Sequence, residues 1–162
     1  MYNMRHLINL VESAGRGFET VTRNSAFKTW FNGSKIVDQN GEPLVVWHGL
    51  KNPLSHIDLI NKRVLFSPEF DEFDVTVGIE PGAWFSPDHE VARHYGHPAP
   101  FFLRALKPIQ EESPITNQPS NCDAIYRMRS SRTEIWKAWE IAVFDPAQIK
   151  LAFDVSDANL IR

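Results

Sequence analysis

Apolar residues recur at helical spacing at Met4, Leu7, Ile8 and Val11, which predicts a short amphipathic helix over residues 3–14, ended by Gly15 and Gly17. Ala26, Phe27, Trp30 and Phe31 repeat that spacing, so a second helix is expected over residues 25–31, with Asn32-Gly33 as its stop. The pattern then turns to strands. Residues 35–38 and 43–47 are apolar runs on either side of Asn40-Gly41, a strong short-range hairpin signal, and the second run leads directly into His48-Gly49. Residues 82–85 and 100–106 read as further strands. Between the two, Ser86-Pro87-Asp88 opens a helix expected to reach about Tyr95, where Gly96 and Pro98 stop it. Residues 139–144 and 149–153 flank Asp145-Pro146-Ala147 and read as a second hairpin. Two stretches lack periodicity. Residues 50–81 interleave Asp58, Asp71, Glu72 and Asp74 with Phe66, Phe70 and Phe73 and read as a long loop or lid, and residues 111–122 read as another loop. Hairpins combined with a few helices predict an α+β domain.

Composition narrows the class. A length of 162 residues fits one domain, divided here into an N-terminal helix and linker at 1–20 and a single folded unit at 21–162. The 43% hydrophobic and 23% charged content is that of an ordinary globular protein and excludes disordered, collagen-like and coiled-coil sequence. A formal net charge of -3 gives no overall electrostatic footprint for nucleic acid, though a local patch stays open at Arg127, Arg129 and Arg132. The single cysteine, Cys122, excludes an intramolecular disulfide and a thiolate cluster and fits a reducing compartment. No apolar run approaches a membrane span, and the first ten residues, with Arg5, His6 and Asn9, carry no apolar signal region. These features predict a cytoplasmic protein without membrane partners. Delivery into another cell, as an effector or with a phage, would need a route that reads other signals.

Several motifs fail on spacing. His89 and His94 are five apart, whereas a zinc-binding helix needs four to put both on one face. Neither a phosphate-cradling glycine loop nor a nucleophile elbow is present, and no metal is expected. Cys122 paired with a histidine stays open as a nucleophile, against the plainer reading of a buried filler.

Three segments survive. Val45-Val46-Trp47-His48-Gly49-Leu50 puts a histidine at a strand end, with a glycine that permits close backbone approach of a ligand. Gly82-Ala83-Trp84-Phe85-Ser86 is followed by Tyr95, giving two rings able to face each other across a flat ligand. Strand parity sets Glu140, Ala142 and Phe144 apart from Trp139, Ile141 and Val143, so a carboxylate faces away from the apolar side. Taken singly, each has a plain reading: a satisfied turn histidine, a pair of core rings, a solvated strand acid.

Taken together and in this order, the segments resemble the ADP-ribosyltransferases, in the His-Tyr-Glu branch that includes the poly(ADP-ribose) polymerases and many phage and bacterial-effector domains. Residues 25–50 are also similar to the opening of the small ADP-ribosyltransferase domains of phage polyvalent proteins. The resemblance covers roughly residues 25–155. It implies a split antiparallel sheet forming a cleft flanked by helices, and transfer of a single ADP-ribose from NAD to a protein or nucleic-acid acceptor. It further implies that His48 holds the adenosine ribose and the Gly49 backbone bonds the nicotinamide carboxamide. Trp84, where the family usually has Tyr, and Tyr95 would sandwich the nicotinamide, with Phe85 and Ser86 alongside, and Glu140 would be the catalytic acid residue. Leu50 stands where the family usually has Ser or Thr, and Ala92 where polymerase members have Ser. Arginine-modifying relatives carry Glu or Gln where this chain has Ala138, which disfavours an arginine acceptor. NAD glycohydrolysis at the same site, or a silent domain that binds NAD or a partner, are the alternatives.

Overall fold

The computed structural model describes residues 18–50, 57–58, 63–64, 80–130 and 137–152. The expected helix over 3–14, Arg132 and most of the 50–81 loop lie outside these residues. The described part of that loop includes two short strands, β2 (Ile57–Asp58) and β3 (Arg63–Val64), paired antiparallel.

Helix α1 (Phe18–Arg23) runs across the position where the linker was expected to end. Its Phe18 ring packs edge-on against Trp47 and Phe102, each 6.3 Å away. Helix α2 (Ser25–Phe31) forms where the spacing predicted it; Asn24 caps it by accepting from the Ala26 and Phe27 N–H groups, and Gly33 leaves it at φ 78°. The expected first hairpin is reduced to a turn with one bridge, Val37 to Pro43, because the Asp38 carboxylate takes the Asn40 and Glu42 N–H groups. Its second arm is recruited elsewhere, as β1 (Val46–Leu50).

Two sheets follow. The first has order β1-β5-β9 and is antiparallel, with β5 (His97–Leu103) between β1 and β9 (Ile149–Leu151). Prolines in a central strand remove ladder donors. Pro98 and Pro100 are tolerated in β5 because they sit opposite Gly49 and Trp47 and beyond the β9 ladder, which ends where Pro100 accepts from the Ala152 N–H. The second sheet has order β4-β8-β7-β6, built from β4 (Ala83–Phe85), β6 (Pro108–Gln110), β7 (Ala124–Ser130) and β8 (Lys137–Val143). It is antiparallel apart from the parallel β6–β7 pair.

The sheets face each other across a core of Val46, Phe85, Phe101, Leu103, Ile141 and Val143. Helices α1 and α2 cover the far side of the first sheet through Phe18, Phe27 and Phe102. On the far side of the second sheet, Ile125 and Ala142 carry Trp84, Ile109 and Phe144. The short helix α3 (His89–Arg93) packs on β1 and β5 and is capped by Asp88; the predicted cap, Ser86, is used otherwise, and the helix ends before Tyr95.

The second hairpin is overturned. β8 and β9 are consecutive in sequence but lie in different sheets, joined by a single tight turn at Pro146–Gln148. Gln148 explains the departure. Its carbonyl oxygen accepts from the Phe144 and Asp145 N–H groups at 3.1 and 3.0 Å, and its amide donates to the Arg104 and Asp123 carbonyls at 2.9 and 2.8 Å. One side chain thus pins the crossover to both sheets. Gln148→Ala is expected to lower unfolding stability by about 2–4 kcal/mol, since four backbone groups lose their partner. Gln148→Glu should also destabilise, because a carboxylate would face two carbonyl oxygens; urea denaturation of both variants checks this.

Candidate active site

Two of the segments that the sequence singled out, those of His48 and Trp84, meet at the end of β4. Trp47 and Ser86 exchange backbone hydrogen bonds, with Trp47 N–H donating at 2.7 Å and Ser86 N–H returning at 2.9 Å, so that the edge strands of the two sheets touch at this bridge. Antiparallel register would next pair Gly49 with Trp84. Instead the His48 imidazole takes the Trp84 carbonyl, with Nδ1 at 2.6 Å. A carbonyl only accepts, so Nδ1 carries the proton and a neutral ring keeps Nε2 as an acceptor. The His48 ring also lies 5.3 Å from that of Phe85.

Gly49 is explained by packing. A Cβ there would overlap the Ala92 carbonyl oxygen and lie within 2.9 Å of the Gly96 and Tyr95 backbone, so the turn after α3 requires a glycine at this position. Tyr95 follows on that turn with half its surface exposed. Phe85 points into the core between the sheets, edge-on to Phe101, which puts its ring out of reach of a ligand. Ser86 is also buried; its hydroxyl donates to the Trp139 carbonyl at 2.9 Å and accepts from the Asp88 N–H at 3.1 Å. Both residues therefore support the site's frame with their side chains engaged.

Trp84 and Glu140 share the outer face of the second sheet, as parity predicted, but Glu140 is only 5% exposed and is no solvated strand acid. Arg127 stands directly opposite it in register on β7, with Nε 4.0 Å from the Glu140 carboxylate. Arg127, left open by the sequence as part of a local basic patch, is 5% exposed and lies on a strand. Its Cζ sits 4.4 Å above the centre of the Trp84 ring. Its two terminal nitrogens grip the Glu80 carboxylate, one at 2.7 Å, and Glu80 also accepts from the Ile115 N–H at 2.7 Å. Hydrogen bonding to Glu80 pushes the guanidinium above its ordinary pKa despite burial, and the charges of Glu80, Glu140 and Glu112 add to the shift.

Sequence reasoning missed Glu80 and the burial of Arg127. An arginine alternating with Ile125 opposite a glutamate-bearing strand is a readable cross-strand pair. Glu80 lies 47 residues away and carries no local signal. Cys122 is buried, and burial followed by the Asp123 charge pushes its thiol up, opposite to what a nucleophile needs. Among the described residues no cluster of three or more His, Cys, Asp or Glu is placed to hold a metal ion, and no helix is long and apolar enough to cross a membrane. Compared with models of known protein families the chain matches none, and compared with curated proteins it again finds no match.

Gly49→Ala is expected to undock the turn after α3, seen as a lowered melting temperature and loss of amide protection at residues 92–96 by hydrogen exchange. Cys122 should resist iodoacetamide at pH 8 in the folded protein and react once unfolded, since a raised pKa leaves less thiolate than a free cysteine has at that pH.

Proposed function

We propose that this chain is a mono-ADP-ribosyltransferase that cleaves NAD at its nicotinamide glycosidic bond and passes ADP-ribose to a macromolecular acceptor. The observation that carries the reading is that His48, Trp84 and Glu140, drawn from three separate segments, flank one three-residue strand: the His48 ring bonds the Trp84 carbonyl, and the Trp84 ring and Glu140 carboxylate share the face on which Arg127 lies.

The residues suit the substrate chemically. By strand alternation from Trp47, the backbone N–H and C=O of Gly49 are directed at the split between the two sheets, in position to bond a carboxamide. The His48 Nε2 is a buried acceptor, so bonding a ribose hydroxyl would require the groups around it to open. Trp84 offers a flat ring, one face of which carries the Arg127 guanidinium, and the exposed Tyr95 would have to close toward it to complete a clamp on nicotinamide.

In the reaction, the bond between the ribose anomeric carbon and the pyridinium nitrogen breaks, and its electron pair leaves with neutral nicotinamide. The sugar passes through an oxocarbenium-like state, as in glycoside hydrolysis. A Glu140 carboxylate near the ribose 2′-hydroxyl stabilises positive charge that exists only in that state, which is where binding energy raises rate. The acceptor nucleophile then bonds to the anomeric carbon and gives up its proton. Ala138, buried beside Glu140 on β8, offers no carboxylate or amide to steer a guanidinium, so the acceptor is a group other than arginine.

Glu140→Gln is expected to cut nicotinamide release by about 10²–10³-fold with circular dichroism and melting temperature unchanged, since volume is kept and charge is lost. Chromatography of nicotinamide formed from NAD, with and without cell lysate, is the measurement. Release that requires lysate supports transfer, release with water alone identifies a glycohydrolase, and none from the wild type identifies a silent binding domain.

A further inference from the structure

We propose that Arg127 is the positioning residue of this site: one guanidinium holds the Trp84 ring by its stacked face and stands beside Glu140 as its fixed positive neighbour, anchored from behind by Glu80. The inference rests on the transferase reading for its consequence in catalysis, while the arrangement itself is geometric. A guanidinium is planar, so it can lie on an indole and present its edge to carboxylates at the same time. Arg127 does both. Its Cζ is 4.4 Å above Trp84, its terminal nitrogens grip Glu80, and its Nε is 4.0 Å from Glu140.

Glu80 has a separate part. Its carboxylate takes both terminal nitrogens of Arg127 and the Ile115 N–H, fixing the rotamer of a long side chain that would otherwise swing. Arg127 from β7 faces Glu140, with Glu80 and Glu112 around the far side of the guanidinium. A cation within about 4–6 Å favours the ionised carboxylate. Burial favours the neutral acid. Arg127 therefore opposes the effect of burial and keeps Glu140 charged, which the transition state needs. Its two duties are separable, because charge serves Glu140 and planarity serves Trp84.

Removing Arg127 alone would strand Glu80 as a buried charge and risk unfolding. The test therefore uses two variants that avoid this. In Arg127→Met/Glu80→Gln the pair is neutralised together, which buried ion pairs often tolerate. In Arg127→Lys the charge stays and the plane is lost.

Glu140 is titrated through its side-chain carboxyl carbon by NMR, and nicotinamide release from NAD is followed against pH. In the double variant the Glu140 titration is expected to move up by about one pH unit, at the low end of the usual range because loss of the Glu80 charge offsets part of the effect. The acidic limb of kcat should move up with it. In Arg127→Lys the limb should stay in place while KM for NAD rises and the Trp84 indole resonance shifts.

An unchanged Glu140 titration in the double variant overturns the proposal, as does a limb that ignores a shifted titration, or a Lys variant with wild-type KM and an unmoved indole. If wild-type protein releases no nicotinamide, the transferase reading falls. The carboxyl titration and the indole resonance then still decide whether Arg127 governs Glu140 and Trp84.

Discussion

Two sheets meet where Trp47 and Ser86 exchange backbone hydrogen bonds, and the rest of the molecule is arranged around the fact that this ladder stops there. Had it continued, the edges of β1 and β4 would have zipped together and left no opening for a ligand. The His48 imidazole prevents this by taking the Trp84 carbonyl that the next rung would have used. A side chain thus ends the sheet at a chosen residue and directs the Gly49 backbone toward the gap. Because β4 is only three residues long, its single carbonyl at Trp84, its ring and the Ser86 hydroxyl bring β1, β8 and the start of α3 within one turn of chain.

The outer face of the second sheet obeys a different constraint. Arg127 and Glu140 are both buried there, and charges withdrawn from water persist only when paired and hydrogen-bonded. Glu80 meets that requirement for Arg127, and Trp84 covers the flat side of the guanidinium with a polarisable ring. Removal of Arg127 or Glu80 alone is costly, about 3–5 kcal/mol for a broken buried pair, whereas Glu140 stands 4.0 Å from a guanidinium that Glu80 already holds. Arg127 and Trp84 are thus held by the same contacts that keep this face folded.

Local patterns carried much of this. The spacing of Phe27, Trp30 and Phe31 located α2, and parity along β8 set Glu140, Ala142 and Phe144 on the face opposite Ile141 and Val143. The polar groups at a strand end around His48 were visible for the same reason. What sequence could not supply was distance. Asp145-Pro146-Ala147 has the composition of a hairpin turn, yet Gln148 reaches Arg104 and Asp123 and sends the chain to the other sheet. The packing need at Gly49 was not legible, because a glycine facing α3 and a glycine facing a substrate carry the same letter. Arg127 looked like surface charge because its partner lies in a stretch without periodicity.

The crossover at Pro146–Gln148 also sets an order of events during synthesis. β1, β5 and β9 follow one another at intervals of about fifty residues, so the first sheet depends on contacts of long sequence separation. While the ribosome is still adding the last strand, Phe101 and Leu103 on β5 lack Leu151 and Ile149 beside them, and the free edge of β5 is open to association with other chains. The second sheet has all its strands by Val143 and can form first. Nascent chains should therefore pass through a half-built stage, with the outer charge cluster assembled and the opening between the sheets not yet framed.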